Sequence, residues 1–302
     1  ATRQGPPLVL GLGENEQFLA SDPSALLAYT RDVIFLENGD LAILRPGGIE
    51  LRDRAGRRVE RAVQRLNWDP VQAEKGGYKH YMHKEIHEQP QAVQDTFAGR
   101  VDFERGEILF DTVRVGAADL ARIERLHLLA CGTSWHAGLT AKFLIETLAR
   151  LPVEVDYGSE YRYRDPIVSD RVLAVGISQS GETADTLAAL RYAKEQGVHT
   201  LAVVNVPTST IAREAETVLP TIAGPEIGVA STKAFTCQLM TLAALSIAAG
   251  KARGHLSDDD EVKLVHGLVE VPRLMAAALT TEPQVEKLAR DIAKSKDVLY
   301  LG

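Results

Sequence analysis

The residues best suited to chemistry form one short run, Ser178-Gln179-Ser180-Gly181-Glu182-Thr183. It follows the apolar stretch Arg171-Val172-Leu173-Ala174-Val175-Gly176-Ile177 and precedes helical spacing from about Ala184 to Gln196. Three hydroxyls and a glycine between a strand and a helix suit the cradling of a phosphate. Glycine lets backbone N–H groups approach an anion closely, and the helix start adds free N–H groups and a partial positive charge. No lysine is required, unlike in the Walker-type phosphate loop. The plainer alternative is that Ser180 or Thr183 only caps the helix. Glu182 and Asp185 suit the helix dipole but repel a phosphate, so both are expected to face away from a ligand.

Two other segments repeat the theme. Gly132-Thr133-Ser134 follows strand-like Leu126-His127-Leu128-Leu129-Ala130, and Gly228-Val229-Ala230-Ser231-Thr232 leads into a helix near Lys233. Ligands of open parallel sheets bind beyond the carboxyl ends of the strands, where such loops enter helices. Three hydroxyl-bearing loops at one edge therefore favour a binding site over simple capping.

Other patterns fall short of their chemistry. Gly176-Ile177-Ser178-Gln179-Ser180 lacks the last glycine of a nucleophile elbow, and no histidine and acid follow in order. Cys131-Gly132-Thr133-Ser134-Trp135 has serine where a papain-like signature needs its cysteine. His80, His83 and His87 share helical spacing with Glu88 nearby, but the glutamate of His83-Lys84-Glu85-Ile86-His87 is one place late for H-E-x-x-H. A surface or hinge helix is the expected reading there. Gly11-Leu12-Gly13 lacks the third glycine and the helix of a dinucleotide fingerprint.

The elements that must position the loops can be read from periodicity. From residue 120 onward, continuous apolar strands alternate with helical patterns, including Val153-Glu154-Val155 and Thr200-Leu201-Ala202-Val203-Val204. This predicts a parallel sheet covered on both faces. Further helices are expected near 231–252 and 258–280, then a strand at Asp297-Val298-Leu299-Tyr300-Leu301. Residues 6 to about 65 read as antiparallel β. One hairpin is expected from Asp32–Leu36 to Leu41–Leu44 across Asn38-Gly39, and another from Ile49–Arg52 to Arg58–Glu60. Asp69-Pro70 and Gly76-Gly77 mark a domain boundary, and helical spacing from Tyr81 should kink or restart at Pro90.

Of 302 residues, 45% are hydrophobic and 25% charged, as in ordinary globular proteins. A net charge of −7 with scattered basic residues disfavours nucleic acid as a partner. No run approaches the roughly 20 apolar residues of a membrane span, so no membrane is expected. The two cysteines, Cys131 and Cys237, lie in apolar runs and read as buried thiols of a reducing, cytoplasmic compartment.

At the loops a family resemblance becomes specific. Ala130-Cys131-Gly132-Thr133-Ser134, Ser178 through Thr186, and Glu226 through Phe235 resemble the first sugar-isomerase (SIS) domain of the glucosamine-6-phosphate synthase family. Lys84-Glu85-Ile86-His87-Glu88-Gln89-Pro90, Ala20-Ser21-Asp22 and Phe35-Leu36-Glu37-Asn38-Gly39-Asp40 extend the resemblance along the whole chain. It implies an α/β SIS-type parallel sheet flanked by helices, preceded by a partial, β-rich Ntn-hydrolase (glutaminase) segment. It divides the chain into a glutaminase remnant at 1–69, a linker at 70–80, and an isomerase region at 81–302 with its SIS core at about 119–258. The implied reaction converts fructose 6-phosphate and glutamine to glucosamine 6-phosphate and glutamate, with no cofactor or metal. The alternative is a SIS-type sugar-phosphate sensor without catalysis.

The resemblance assigns Ser134, Ser178, Gln179, Ser180 and Thr183 to the phosphate, and Thr133, Val229 and Ser231 to the sugar. It also implies a homodimer, and glutamine as a partner through the incomplete glutaminase segment. The family's catalytic residues have no counterparts here, and the ends of the sequence read as those of an internal fragment. The isolated chain is expected to bind substrate weakly, if at all, and to catalyse neither half-reaction.

Overall fold

The structure, a computed structural model, describes residues 1–4, 7–21, 23–45, 47–66, 75–109 and 117–299. The amino-terminal part is β-rich, with β1 (Val9–Leu12), β2 (Gln17–Ala20), β3 (Asp32–Phe35), β4 (Leu41–Arg45), β5 (Gly48–Arg52) and β6 (Gln64–Arg65). An antiparallel sheet runs β2-β1-β3-β6, while β4 and β5 pair separately. Alternation along β1 and β3 sends Val9, Val33 and Phe35 to one face, with Leu26 and Leu27. Leu10 and Ile34 face the other way, onto Ala42 and Leu51 of the hairpin.

The hairpin expected across Asn38-Gly39 does not form, because β3 and β4 lie in different sheets. Long-range polar contacts redirect the turn. The buried Asp40 carboxylate accepts from the Glu37 N–H at 2.8 Å and from Arg61 at 2.9 Å. The edges of β3 are taken by β1 and β6, and the Arg3 backbone pairs instead with Gly39 and Asp40 of the turn. The second turn does form, with Asp53 N–H bonded to Arg57 O, but its strands shrink to a bridge between Arg52 and Arg58. The boundary at Asp69-Pro70 lies outside the described residues.

Helix α1 (Tyr81–Phe97) runs through Pro90 without restarting. Proline cannot donate to the carbonyl four residues back, that of Ile86. The Gln89 side-chain amide donates to it instead at 3.0 Å. The apolar residues Ala92, Val93 and Phe97 then bury that helix against Ala234, Cys237, Met240 and Val265. A short hairpin follows, β7 (Val101–Asp102) with β8 (Glu107–Ile108).

The remaining elements are α2 (Ala117–Arg122), β9 (Arg125–Ala130), α3 (Gly132–Leu148), β10 (Val153–Tyr157), α4 (Gly158–Tyr161), β11 (Val172–Ser178) and α5 (Ala184–Glu195). After them come β12 (His199–Val204), α6 (Thr210–Glu214), β13 (Thr217–Pro220), α7 (Lys233–Ala252), α8 (Asp258–Leu279) and α9 (Glu282–Ile292). Strands β10-β9-β11-β12-β13 form one parallel sheet in that order. The chain first steps outward from β9 to β10, then returns to β11 and proceeds the other way. The direction therefore reverses between β9 and β11, where sheets of this kind bind ligands.

Alternation again sorts the core. Leu126, Leu128, Leu173, Val175, Ile177, Leu201 and Val203 face α3 and α7. Leu129, Val172, Ala174, Ala202 and Val204 face Tyr161 and α5. Helix α7 is long and apolar enough to cross a membrane, but its most apolar stretch is 72% buried within the fold, as befits a core helix. The final expected strand is absent at Asp297–Leu299, and its last residues lie outside those described.

Inside the sheet, the buried His127 Nδ1 hydrogen-bonds the Tyr161 hydroxyl at 2.9 Å. Burial pushes the imidazole below its ordinary range, although Glu154 at 3.8 Å opposes the shift. That carboxylate is already shared by Arg125 and Arg164, which also repel a protonated ring. The unfolded chain therefore takes up this proton first as pH falls below about 6.5. Stability from this site is complete above that pH and falls on acidification, with a limiting slope of about 1.4 kcal/mol per pH unit. Urea unfolding between pH 7 and 5 should show this component, and His127→Leu should remove it.

Candidate phosphate-binding site

Two loops leave the sheet at the reversal point. After β11, the chain turns through Gln179–Glu182 into α5, and after β9 it passes Cys131 into α3. In the first loop the buried Ser178 hydroxyl is the hub. It lies 2.8 Å from the Thr183 hydroxyl and accepts the Gly181 N–H at 3.0 Å. Ser180 Oγ accepts the Glu182 N–H at 3.1 Å. The loop is anchored from behind, since Gln179 O accepts from Asn205 N–H and Gly181 O from Ile211 N–H. Gly181 has φ +65°, and a Cβ there would stand 2.0 Å from Ser209 Oγ.

The arrangement bears on the capping alternative. Thr183 occupies the N-cap position of α5 with extended backbone, yet its side chain makes no capping hydrogen bond. Its hydroxyl turns to Ser178 instead, so the first-turn N–H groups of α5 receive no cap from it. Cys131, at the N-cap of α3, likewise makes no side-chain cap. Both helix starts flanking the reversal point thus keep amide donors for an anion.

Glu182 behaves as its charge demands. Its Oε1 accepts the Thr210 N–H at 2.8 Å, and its Oε2 lies 4.0 Å from the buried Arg3 guanidinium. Arg3 also donates to Thr210 Oγ1 at 3.1 Å. The carboxylate is thereby held toward α6 and the amino-terminal strands. Burial lowers the Arg3 pKa, with Glu182 opposing that shift.

The remaining candidates are distributed less evenly. Thr133 is exposed on the first turn of α3. Ser134 is buried, and its hydroxyl accepts from Gln238 Nε2 of α7 at 3.0 Å. Ser231 is half-buried and donates to Glu226 at 2.9 Å, whereas Val229 is fully exposed. The third loop offers no open anion site. Glu226 accepts from the N–H groups of Thr232 and Ala234 at 2.8 and 3.1 Å, capping α7 with a carboxylate. The Glu85 carboxylate of α1 accepts from Ile227 and Gly228 N–H at 2.5 and 3.0 Å. Ser231 and Val229 are therefore separate from the Ser178–Thr183 hydroxyl cluster in their hydrogen bonding.

Glu85, Glu226 and Gln238 went unread in the sequence. Glu226 lies seven residues before α7, too far for a capping box, and Glu85 meets its loop only through the tertiary fold. Glu85→Ala should free the third loop at a stability cost of about 1–3 kcal/mol, from the unpaired amides it leaves. Faster amide hydrogen exchange at Ile227 and Gly228 would register the change. Unaltered exchange there would show that the loop holds without Glu85. The thiols are both free: Cys131 is half-buried, while Cys237 is buried and pushed up to about 11.

Residues 119–248, which contain the parallel sheet and both loops at the reversal point, match the family described as SIS domain. This chain carries a SIS domain. Beyond that domain, 99% of the chain is 58% identical over 300 residues to the glutamine–fructose-6-phosphate aminotransferase (isomerizing) of Bradyrhizobium diazoefficiens, covering 49% of that relative. The enzyme of the same name from Thermus thermophilus is 50% identical over 303 residues, with 100% of this chain and 49% of the relative covered. Among solved structures, the C-terminal domain of glucosamine-fructose-6-phosphate aminotransferase from Francisella tularensis aligns with a TM-score of 0.71 and 41% identity. That alignment covers 74% of this chain and 62% of the other. The chain is thus homologous along its length to these aminotransferases, and spans about half the length of the curated relatives it matches. The SIS domain accounts for the expected α/β class, with the β-rich segment ahead of it.

Proposed function

We propose that this chain forms the sugar-phosphate-holding part of a glutamine–fructose-6-phosphate aminotransferase of the cytoplasm. Residues 1–69 would be the end of its glutaminase domain, 70–80 the linker, and 81–302 the isomerase region. The observation that carries the reading is the hydroxyl loop Ser178–Thr183 at the reversal point, beside an uncapped helix start and with Glu182 turned away. Homology that includes the β-rich segment and linker favours the aminotransferase over a sugar-phosphate sensor.

Ser178, Ser180, Thr183 and the amides of α5 would hold the phosphate, joined by Gln179 and by the Ser134 hydroxyl, which accepts from Gln238 and keeps its own proton to donate. Thr133, Val229 and Ser231 would line the sugar. Hydroxyls and amides bind and orient, but none is a base of suitable pKa for removing a proton beside a carbonyl. The chain's own role is therefore to fix the phosphate end, so that the reacting carbons lie at a constant distance from catalytic groups supplied elsewhere. Glutamine, and a second copy of the chain, would be its partners in the complete enzyme.

A thermal unfolding series tests the substrate class. Fructose 6-phosphate and glucosamine 6-phosphate should raise the midpoint, because ligands that bind only the folded state stabilise it by mass action. Fructose and glutamine should leave it unchanged. Equal stabilisation by fructose would contradict a site built around phosphate.

A further inference from the structure

We propose that His83, His87 and Glu282 form a binding site for a divalent transition metal of the zinc type. The two histidines lie four residues apart on α1 and so share one face. Their local sequence supplied no suitably spaced carboxylate, but the fold brings one from the first turn of α9, 199 residues away. His83 Nε2 contacts Glu282 Oε1, and His87 Nε2 lies 3.1 Å from Glu282 Oε2. The ligand atoms of all three groups lie within 4.8 Å of one another. The Tyr78 ring packs against both imidazoles, with centroids 5.1 and 5.4 Å away, and restrains their orientation. His87 is half-buried, while His83 and Glu282 are exposed, so the site opens to solvent.

Zinc bonds to imidazole nitrogen and carboxylate oxygen are about 2.0–2.2 Å long. A cation among these atoms therefore needs only small side-chain shifts, and it replaces the protons that the histidines share with Glu282. Two nitrogens and one oxygen suit zinc, cobalt or nickel, whereas calcium and magnesium prefer oxygen ligands. Three protein ligands leave a position for water. The site joins α9 to the helix whose Glu85 and Glu88 hold the third loop and Lys233. A bound metal would fix α9 against that helix.

The test uses the tag-free 302-residue chain stripped by a chelator, titrated with zinc chloride by calorimetry and with cobalt chloride by visible absorption. Saturable equimolar binding is expected, with cobalt bands of low-coordinate intensity. His83→Ala, His87→Ala and Glu282→Gln should each weaken zinc by more than the roughly 10–100-fold that loss of an outer partner costs. His266→Ala, at an exposed position on α8, should bind as the native chain does. Unfolding midpoints in chelator establish that each variant is folded, and Glu282→Gln preserves side-chain size should a histidine variant fail. Absence of saturable binding by the native chain would overturn the proposal. So would undiminished binding by folded Glu282→Gln, since the histidines and Glu282 would then be only a hydrogen-bonded clamp.

Discussion

Gly181→Ala should destabilise the chain by roughly 2–5 kcal/mol and dismantle the Ser178–Thr183 loop. Two costs combine. A left-handed backbone at a residue bearing Cβ costs about 1–2 kcal/mol. The added carbon would also stand 2.0 Å from Ser209 Oγ and 2.5 Å from Ser209 Cβ. Relief by moving Ser209 is expensive, because that side chain is fully buried and caps α6 by accepting from Ala212 N–H. Overpacking of this kind typically adds about 1–3 kcal/mol. Gly197→Ala provides the control: its φ is +76°, but nothing lies within 4 Å of the added carbon. It should show the backbone cost alone. Urea unfolding of both variants measures the difference, and equal losses would refute the close packing of the loop against α6.

Ser178→Ala combined with Thr183→Ala should weaken sugar-phosphate binding by roughly 10²–10⁴-fold. Hydrogen bonds to charged groups contribute about 1.5–3 kcal/mol each, and each 1.4 kcal/mol is tenfold in affinity. Ser178 matters twice, because its oxygen also receives the Gly181 N–H and so shapes the turn. Ser178→Ala alone should therefore cost more than Thr183→Ala alone. Unfolding of the double variant should remain cooperative, since neither α5 nor β11 depends on these hydroxyls for its backbone ladder.

Much of the site was legible because it is local. A strand, a hydroxyl-rich turn and a helix are consecutive in sequence, and apolar runs such as Val172–Ile177 are hard to read otherwise. The expected outward turn of Glu182 followed from charge alone, although its partners, Thr210 and Arg3, did not. What escaped was tertiary. The Asn38-Gly39 turn obeyed local rules but yielded no hairpin, because Arg61 and the Arg3 backbone hold its flank. Pro90 signalled a break that the Gln89 side chain cancels. The third loop resembled the other two in composition, yet Glu85 and Glu226 occupy its amides, the first from a distant helix and the second too far ahead of α7 for a capping box. β13, only four residues long and ending in proline, had no strand signal of its own, and its pairing with β12 gives it shape. Glu282 could join His83 and His87 only after α8 and α9 had folded back onto α1.

The most direct test of the account is calorimetric titration of the native chain with fructose 6-phosphate, with fructose and inorganic phosphate as controls and the Ser178→Ala/Thr183→Ala variant in parallel. The account predicts weak but saturable binding of fructose 6-phosphate, no saturable heat from fructose, and loss of binding in the folded variant. Equal binding by the native chain and the folded variant, or equal saturable binding of fructose, would contradict a phosphate cradle at Ser178–Thr183.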